Sequence, residues 1–172
     1  MITKINHKGR LSTVRKAFRS DRPGSIRGQA MLEFALVAPL FFFLIFAVID
    51  FGRMFFVQMN LQSAVQEAGR FASTGDHLPD PNNPGQTLSR IASIIATAQQ
   101  AAYGANLTNI KISSANGGPN SAGGPGDIVT VSLTSSLPLM TPLVGRYFPN
   151  GAYTFTSSAT FKNEPFPSGE TK

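Results

Sequence analysis

The carboxylate of Glu33 lies in the most unusual sequence context of any ionisable group in this 172-residue chain. It stands near the start of an apolar run, and residues 34–49 carry no charge and a single helix breaker, Pro39. A carboxylate inside a lipid bilayer costs a few kcal/mol or more, so a residue of this kind usually has a functional partner. Two interpretations are open on position alone. Glu33 either meets a cation inside the membrane or lies at the headgroup level, where it contacts only water.

The other residue types that carry chemistry do not form a recognisable site. The chain has no cysteine, which excludes disulfides, thiolate metal ligands and a cysteine nucleophile. His7 and His77 stand far apart, and neither has a partner at the spacing of metal ligands. No serine lies in a nucleophile elbow, and the acids of residues 75–172 fall in predicted loops or near the C-terminus. We therefore predict no enzymatic activity, no metal, no cofactor and no small-molecule substrate. Those acids are Asp76, Asp80, Asp127, Glu164 and Glu170.

Positive charge is concentrated in the first 28 residues. This arm holds eight Lys/Arg and one acid, whereas the other 144 residues hold seven Lys/Arg and eight acids. A basic arm could bind nucleic acid through phosphate contacts, or it could orient a membrane span, because Lys/Arg beside a span stay on the cytoplasmic side. The arm ends directly before the apolar run, and no basic patch or nucleic-acid module recurs downstream. This favours the orienting role and predicts no nucleic-acid partner.

The apolar run is long enough to cross a membrane. A helix from residue 30 to residue 49 would rise roughly 30 Å, about the thickness of one hydrocarbon core. A cleaved secretory signal fits poorly, since the run exceeds a typical signal core and no small-x-small cleavage site follows it. We therefore predict one transmembrane helix.

Beyond Asp50, apolar residues recur at steps of three and four, so the helix is expected to continue as an amphipathic segment to about Ser73. Gly75 is expected to end it, because glycine accepts the left-handed C-terminal position. We expect Asp50 and Arg53 to form an exposed i,i+3 pair at the outer membrane surface. The apolar stripe consists of Val57, Leu61, Ala64, Ala68 and Phe71, and we expect it to pack in the core of a small domain.

Residues 75–172 are predicted to form that domain. Helical spacing predicts a second helix within residues 87–104, and alternation predicts strands at 109–113, 127–135 and 152–162. The glycine-rich segment 114–126 is expected to be a mobile loop, and the apolar connector 137–151 is expected to cover one end of the sheet. The predicted fold class is therefore α+β, with a long N-terminal transmembrane and stalk helix, one further helix and an antiparallel sheet of about three strands.

The stretch RGQAMLEFALVAPLFFFLIFAVIDFGR, residues 27–53, resembles the N-terminal signature of the TadE-like family, the pseudopilins of tight-adherence (Flp-type) pilus systems. Residues 47–74 and the segment SATFKNEP, residues 158–165, also resemble this family. In related prepilins, a membrane aspartyl peptidase cuts after a glycine, and a glutamate followed by an aromatic is the fifth mature residue. The resemblance therefore implies that Gly28 precedes the cut and that Gln29 becomes the N-terminus. Glu33 is then the fifth mature residue, and Phe34 is the aromatic, where the major Flp pilins commonly have tyrosine.

The same resemblance implies a membrane-anchored pilin-like (pseudopilin) subunit or assembly factor of a tight-adherence type IV pilus or secretion system. Its implied partners are the inner membrane, a prepilin peptidase, other pilin or pseudopilin subunits and the tight-adherence machinery. It also implies a partner for Glu33, the N-terminal amine of a neighbouring subunit.

The predicted organisation has three parts. These are a basic cytoplasmic leader (1–28), a transmembrane helix that continues as an amphipathic stalk helix (29–74) and a small periplasmic domain (75–172). The chain would then be a single-pass inner-membrane protein with a cytoplasmic N-terminus. The alternative is a single-pass anchored periplasmic binding module unrelated to pili.

Overall fold

The structure, a computed structural model, describes residues 26–167 and shows an α+β fold. The leader up to residue 25, His7 and Glu170 lie outside the described residues. The two main helices are α1 (Ile26–Thr74) and α2 (Arg90–Ala101). Four strands follow: β1 (Leu107–Ser114), β2 (Gly118–Pro119), β3 (Ile128–Pro138) and β4 (Ala152–Lys162). A one-turn helix α3 (Pro142–Gly145) and a 3-10 turn (Pro149–Gly151) lie between β3 and β4. The predicted fold class, with one long helix, a further helix and an antiparallel sheet, is confirmed.

The described residues divide into two compact units, one up to residue 40 and one from residue 41 onward. In the first unit, the described residues are helical throughout, and α1 passes Pro39 without interruption. Its large apolar side chains, such as Met31, Leu32 and Phe34, are exposed. The second unit contains the rest of α1, together with α2, the sheet and the connecting loops.

The sheet has the strand order β2-β1-β3-β4, and all neighbours are antiparallel. In β3, Val129, Val131 and Leu133 are buried while the residues between them are partly exposed, as their alternation predicted. Strand β4 pairs with β3 along its whole length, from Ala152 to Lys162. The two-residue strand β2 was not predicted, because it forms where the glycine-rich segment folds back on β1 and has no alternating pattern of its own.

The core of the second unit lies between the C-terminal half of α1, α2 and one face of the sheet. The predicted stripe on α1 is confirmed as core, with four of its members buried and Phe71 partly buried. Gly69 permits the close approach of β4, because a methyl group at this position would overlap the ring of Phe161. Gly75, at a φ of +80°, takes the predicted left-handed position after the last helical residue. The buried apolar residues include Val57, Leu61, Ala64, Val65, Ala68, Ala72, Ile94, Ala98, Ile112, Val129, Val131, Leu133, Leu137 and Phe155.

The connector between β3 and β4 differs from the expectation that its apolar cluster covers the end of the sheet. Leu137 is buried, but Met140, Leu143 and Tyr147 are 55, 57 and 83% exposed. The backbone of this connector is instead held by hydrogen bonds to α1, which place a buried threonine, Thr141, inward and these apolar side chains outward.

The glycine-rich segment is tied down by side chains rather than left without contacts. The buried Asp127 accepts hydrogen bonds from the Asn116 side-chain amide at 2.9 Å and from its backbone N–H at 3.3 Å. A backbone at positive φ, 71° at Gly118 and 56° at Asn120, allows the tight reversal that brings β2 against β1. This segment is therefore an ordered turn built around one carboxylate.

Candidate functional site

Within the described residues, the structure contains one helix long and apolar enough to cross a membrane, from Gly28 to Thr74. The most apolar part of this helix is unburied, and large exposed apolar side chains continue along α1 from Met31 to Met59. A soluble monomer rarely exposes a contiguous apolar surface of this extent, so such a surface marks contact with lipid or with other proteins. The exposed surface of α1 is therefore the first candidate site.

The residues of the predicted cleavage motif lie together in the first turns of α1. Gly28, Gln29, Glu33 and Phe34 are all helical and all exposed. Gln29 and Glu33 are four positions apart, so they share one face of the helix. Glycine has a low helix propensity, so Gly28 lowers the cost of leaving the helix at this position. The motif is therefore exposed on α1.

Asp50 was expected to be exposed, and this expectation is wrong. Its side chain is only 5% exposed, although it directly follows the apolar run. One carboxylate oxygen, Oδ1, accepts a hydrogen bond from the Met140 backbone N–H at 2.9 Å. The other, Oδ2, accepts from the Thr141 N–H at 2.8 Å and the Thr141 hydroxyl at 2.7 Å. The connector therefore folds over this carboxylate because its donors converge there.

Arg53 completes this cluster. Its guanidinium lies 3.5 Å from Oδ1 of Asp50, and it donates a weak hydrogen bond of 3.4 Å to the carbonyl oxygen of Pro138 at the end of β3. The predicted i,i+3 pair thus exists, but its main role is to help attach the end of β3 and the connector to α1. We call Asp50, Arg53, Met140 and Thr141 the junction cluster. Asp50 and the connector residues that bind it are about 90 positions apart in the sequence, so no local pattern revealed the cluster.

Arg90 is the second buried charge that the sequence did not reveal. Its side chain is 1% exposed, and it donates hydrogen bonds to the carbonyl oxygens of Ala72, at 2.7 Å, and Gly123. Its guanidinium carbon also lies 4.6 Å from the centroid of the Phe166 ring. Burial lowers the pKa of the guanidinium below its usual value. Ala72 is in the last turn of α1, where carbonyls lack helical partners, so Arg90 caps α1 and joins it to the glycine-rich segment.

The segment after β4 is held at the same place. The side-chain amide of Asn163 donates to the carbonyl oxygens of Ala122 and Gly124 at 2.9 and 2.8 Å. The Glu164 backbone N–H donates to the carbonyl oxygen of Ser73 at 2.9 Å. Asn163 and Glu164 of the SATFKNEP segment therefore fasten the chain after β4 to the glycine-rich segment and to the last turn of α1.

The remaining candidates from the sequence are not brought together. Nδ1 of His77 lies 2.7 Å from the carbonyl oxygen of Leu88 and helps close a surface loop. Asp80 forms a turn with Asn82 and Asn83. In the part of the chain that the structure describes, no group of three or more histidine or acidic side chains could hold a metal ion.

We expect Asp50→Asn to weaken the junction cluster. Both carboxylate oxygens accept from donors, so the amide group of asparagine would point N–H groups at other N–H or O–H groups. Loss of hydrogen bonds to a charged group costs about 1.5–3 kcal/mol. The midpoint of urea unfolding of the full chain in detergent should fall, and hydrogen exchange in residues 138–148 should become faster. Asp76→Asn, at an exposed position, is the matched control, and equal exchange in both variants would contradict this role of Asp50.

Residues 28–70 match the family model described as TadE-like protein. No curated protein and no solved structure matches the chain at a significant level. The matched residues contain the predicted cleavage motif, the apolar run, Asp50 and most of the amphipathic part of α1. The family match therefore confirms the resemblance predicted from the sequence, and it identifies residues 28–70 as a TadE-like segment, which indicates a protein associated with a tight-adherence (Tad) pilus.

Proposed function

We propose that this chain is a pilin-like (pseudopilin) subunit or assembly factor of a tight-adherence (Flp) type IV pilus, anchored in the inner membrane by α1. The observation that carries the proposal is the TadE-like match over residues 28–70, because it falls on the helix that could cross a membrane. The role is structural rather than catalytic. Its partners are a prepilin peptidase and other pilin or pseudopilin subunits of the tight-adherence machinery.

The proposed orientation places the basic arm in the cytoplasm and the sheet in the periplasm. It rests on the eight Lys/Arg of residues 1–28, which precede the apolar run directly. The chain has no cysteine, so single cysteines can report each side. In cells that lack the prepilin peptidase, and therefore keep residues 1–28, a maleimide that crosses only the outer membrane should label Asn82→Cys in intact cells and Ser12→Cys only after lysis. The reverse pattern would contradict the proposed orientation.

We expect the leader to be removed after Gly28 by a prepilin peptidase. The mature chain should begin at Gln29, and Gly28→Phe should block the cut because a bulky side chain would crowd the scissile bond. Gly28→Ala is the matched control, since it adds only a methyl group and should still be processed. Intact-mass measurement of protein from membranes, with and without the co-expressed peptidase, distinguishes these results. If the wild-type chain keeps Met1 in the presence of active peptidase, cleavage after Gly28 is contradicted, and the role that remains is that of an uncleaved assembly factor.

We expect Glu33→Gln to impair assembly but not insertion. Glutamine keeps the size and helix propensity of glutamate nearly unchanged, and it removes a charge that is unfavourable in lipid. In the assembled state, however, the neighbour's amine would be buried without its counter-charge, a loss of about 3–5 kcal/mol for a fully buried pair.

The measurement for Glu33 is co-purification of subunits, or pilus formation, at matched membrane levels. Glu67→Gln is the matched control, because it is the same substitution at an exposed position of α1 beyond the apolar run. Normal assembly of the Glu33→Gln variant would place Glu33 among the lipid headgroups, in contact with water.

The anchored binding module is not favoured as an alternative. Binding sites for small molecules are usually apolar clefts with a few convergent polar groups. The groove between α1 and β4 is lined mainly by polar side chains, including Gln58, Gln62, Thr154 and Thr156. This lining gives a small ligand little apolar surface to bury.

A further inference from the structure

We propose that the connector between β3 and β4, residues 139–151, is a second membrane contact of this protein. Its exposed side chains Met140, Leu143 and Tyr147 would enter the headgroup layer of the same bilayer that α1 crosses. This inference rests on the proposed function in one respect only, the membrane span formed by α1. The occupant of this surface is therefore lipid, and not a soluble ligand.

The position of the connector along α1 is fixed by the junction cluster. Asp50 is the first charged residue after the apolar run, and it accepts hydrogen bonds from the backbone N–H groups of Met140 and Thr141 at 2.9 and 2.8 Å. A span from residue 30 to residue 49 fills roughly 30 Å of hydrocarbon. Asp50 then lies at the boundary between hydrocarbon and headgroups, and the connector is held at the same depth.

The apolar surface of α1 also continues past this point. Phe51, Phe55 and Phe56 are 60, 52 and 54% exposed. If the boundary between hydrocarbon and headgroups lay well before Asp50, toward the N-terminus of α1, these rings would be in water. A boundary further toward the C-terminus of α1 would place the connector deeper in the bilayer. Either position brings the connector into contact with the bilayer surface.

The side chains of the connector suit a headgroup layer. Tyr147 is 83% exposed, and tyrosine is enriched at membrane interfaces because its ring is apolar and its hydroxyl polar. Met140 and Leu143 supply apolar surface that the protein itself leaves uncovered. Arg146 is exposed within the same connector, and Arg53 is partly exposed at the junction, so both can reach lipid phosphates while their stems lie along apolar surface. A surface that combines exposed apolar, aromatic and basic side chains matches the headgroup layer, which offers both apolar contacts and anionic phosphates.

The buried parts of the connector explain how it presents these groups. Thr141 is 2% exposed and is held by Asp50, and Phe148 and Tyr153 pack edge to face with centroids 5.5 Å apart. The connector is therefore fixed at both ends, and the apolar side chains between these points face away from the domain. A second membrane contact close to α1 would hold this end of the sheet against the bilayer.

The test uses the absence of native cysteine. The full chain, carrying one cysteine at Leu143 or Tyr147 and labelled with an environment-sensitive fluorophore, is placed in phospholipid nanodiscs without any other protein. Some of the lipids carry a nitroxide quencher, placed near the headgroup to report positions 143, 147 and 115 and in the acyl chain to report position 42. Phe42→Cys reports the span itself. Ala115→Cys is the control, because it is exposed and follows β1 at the opposite end of the sheet from Pro138.

We expect the label at positions 143 and 147 to show blue-shifted emission and quenching by the nitroxide lipid, and the label at position 115 to show neither. Asp50→Asn combined with Leu143→Cys should reduce the quenching at 143 and leave that of a label at position 42 unchanged. Quenching at 42 without quenching at 143 and 147 would overturn the membrane contact but leave the span intact. Absence of quenching at 42 would overturn the span, and with it both proposals.

Discussion

One helix, α1, carries an exposed apolar surface in one part and a buried face in another, and the rest of the structure depends on how these two are divided. Up to about residue 56 its large apolar side chains are exposed, whereas from Val57 to Ala72 one face is buried against α2 and the sheet. Three of the six buried apolar residues on this face are alanines, and Gly69 lies where the ring of Phe161 comes closest. Small residues allow the sheet to approach the helix backbone, so packing is dense there even though each side chain contributes little area.

Two buried charges hold the ends of this packed region. Asp50 attaches α1 to the connector at one end, and Arg90 attaches the last turn of α1 to the glycine-rich segment at the other. Buried charges contribute little raw stability, because desolvation offsets most of the attraction, but removal of a partner leaves a charge or a polar group stranded. These two residues therefore fix the register between the helix and the sheet, which the alanine-rich interface alone would specify weakly.

The elements of the fold were predictable from the sequence because their signals are local. The alternation in β3 and β4 and the spacing of apolar residues in α1 each span a few neighbouring positions, and each predicted the buried face correctly. Asp50 was misjudged for the opposite reason. Its nearby partner, Arg53, suggested an exposed ion pair, while the donors that bury it stand about 90 positions away. Arg90 likewise binds groups that are distant in the sequence, the carbonyl oxygens of Ala72 in the last turn of α1 and of Gly123 in the glycine-rich segment. For the candidate site, the predicted cleavage motif rests on the family resemblance and stays a prediction, whereas the junction cluster had no local signal.

Asp50 and Glu33 illustrate how a carboxylate on an apolar helix is accommodated. Asp50 receives three hydrogen bonds and an ion pair from its own chain, so its charge is compensated within a single subunit. Glu33 lies on an exposed part of α1, among apolar side chains that are themselves exposed. If that surface is in lipid, a charge at Glu33 has to be compensated by another molecule, because a bilayer core offers neither water nor donors. The same helix thus carries one carboxylate that organises the fold and another that stands among exposed apolar side chains.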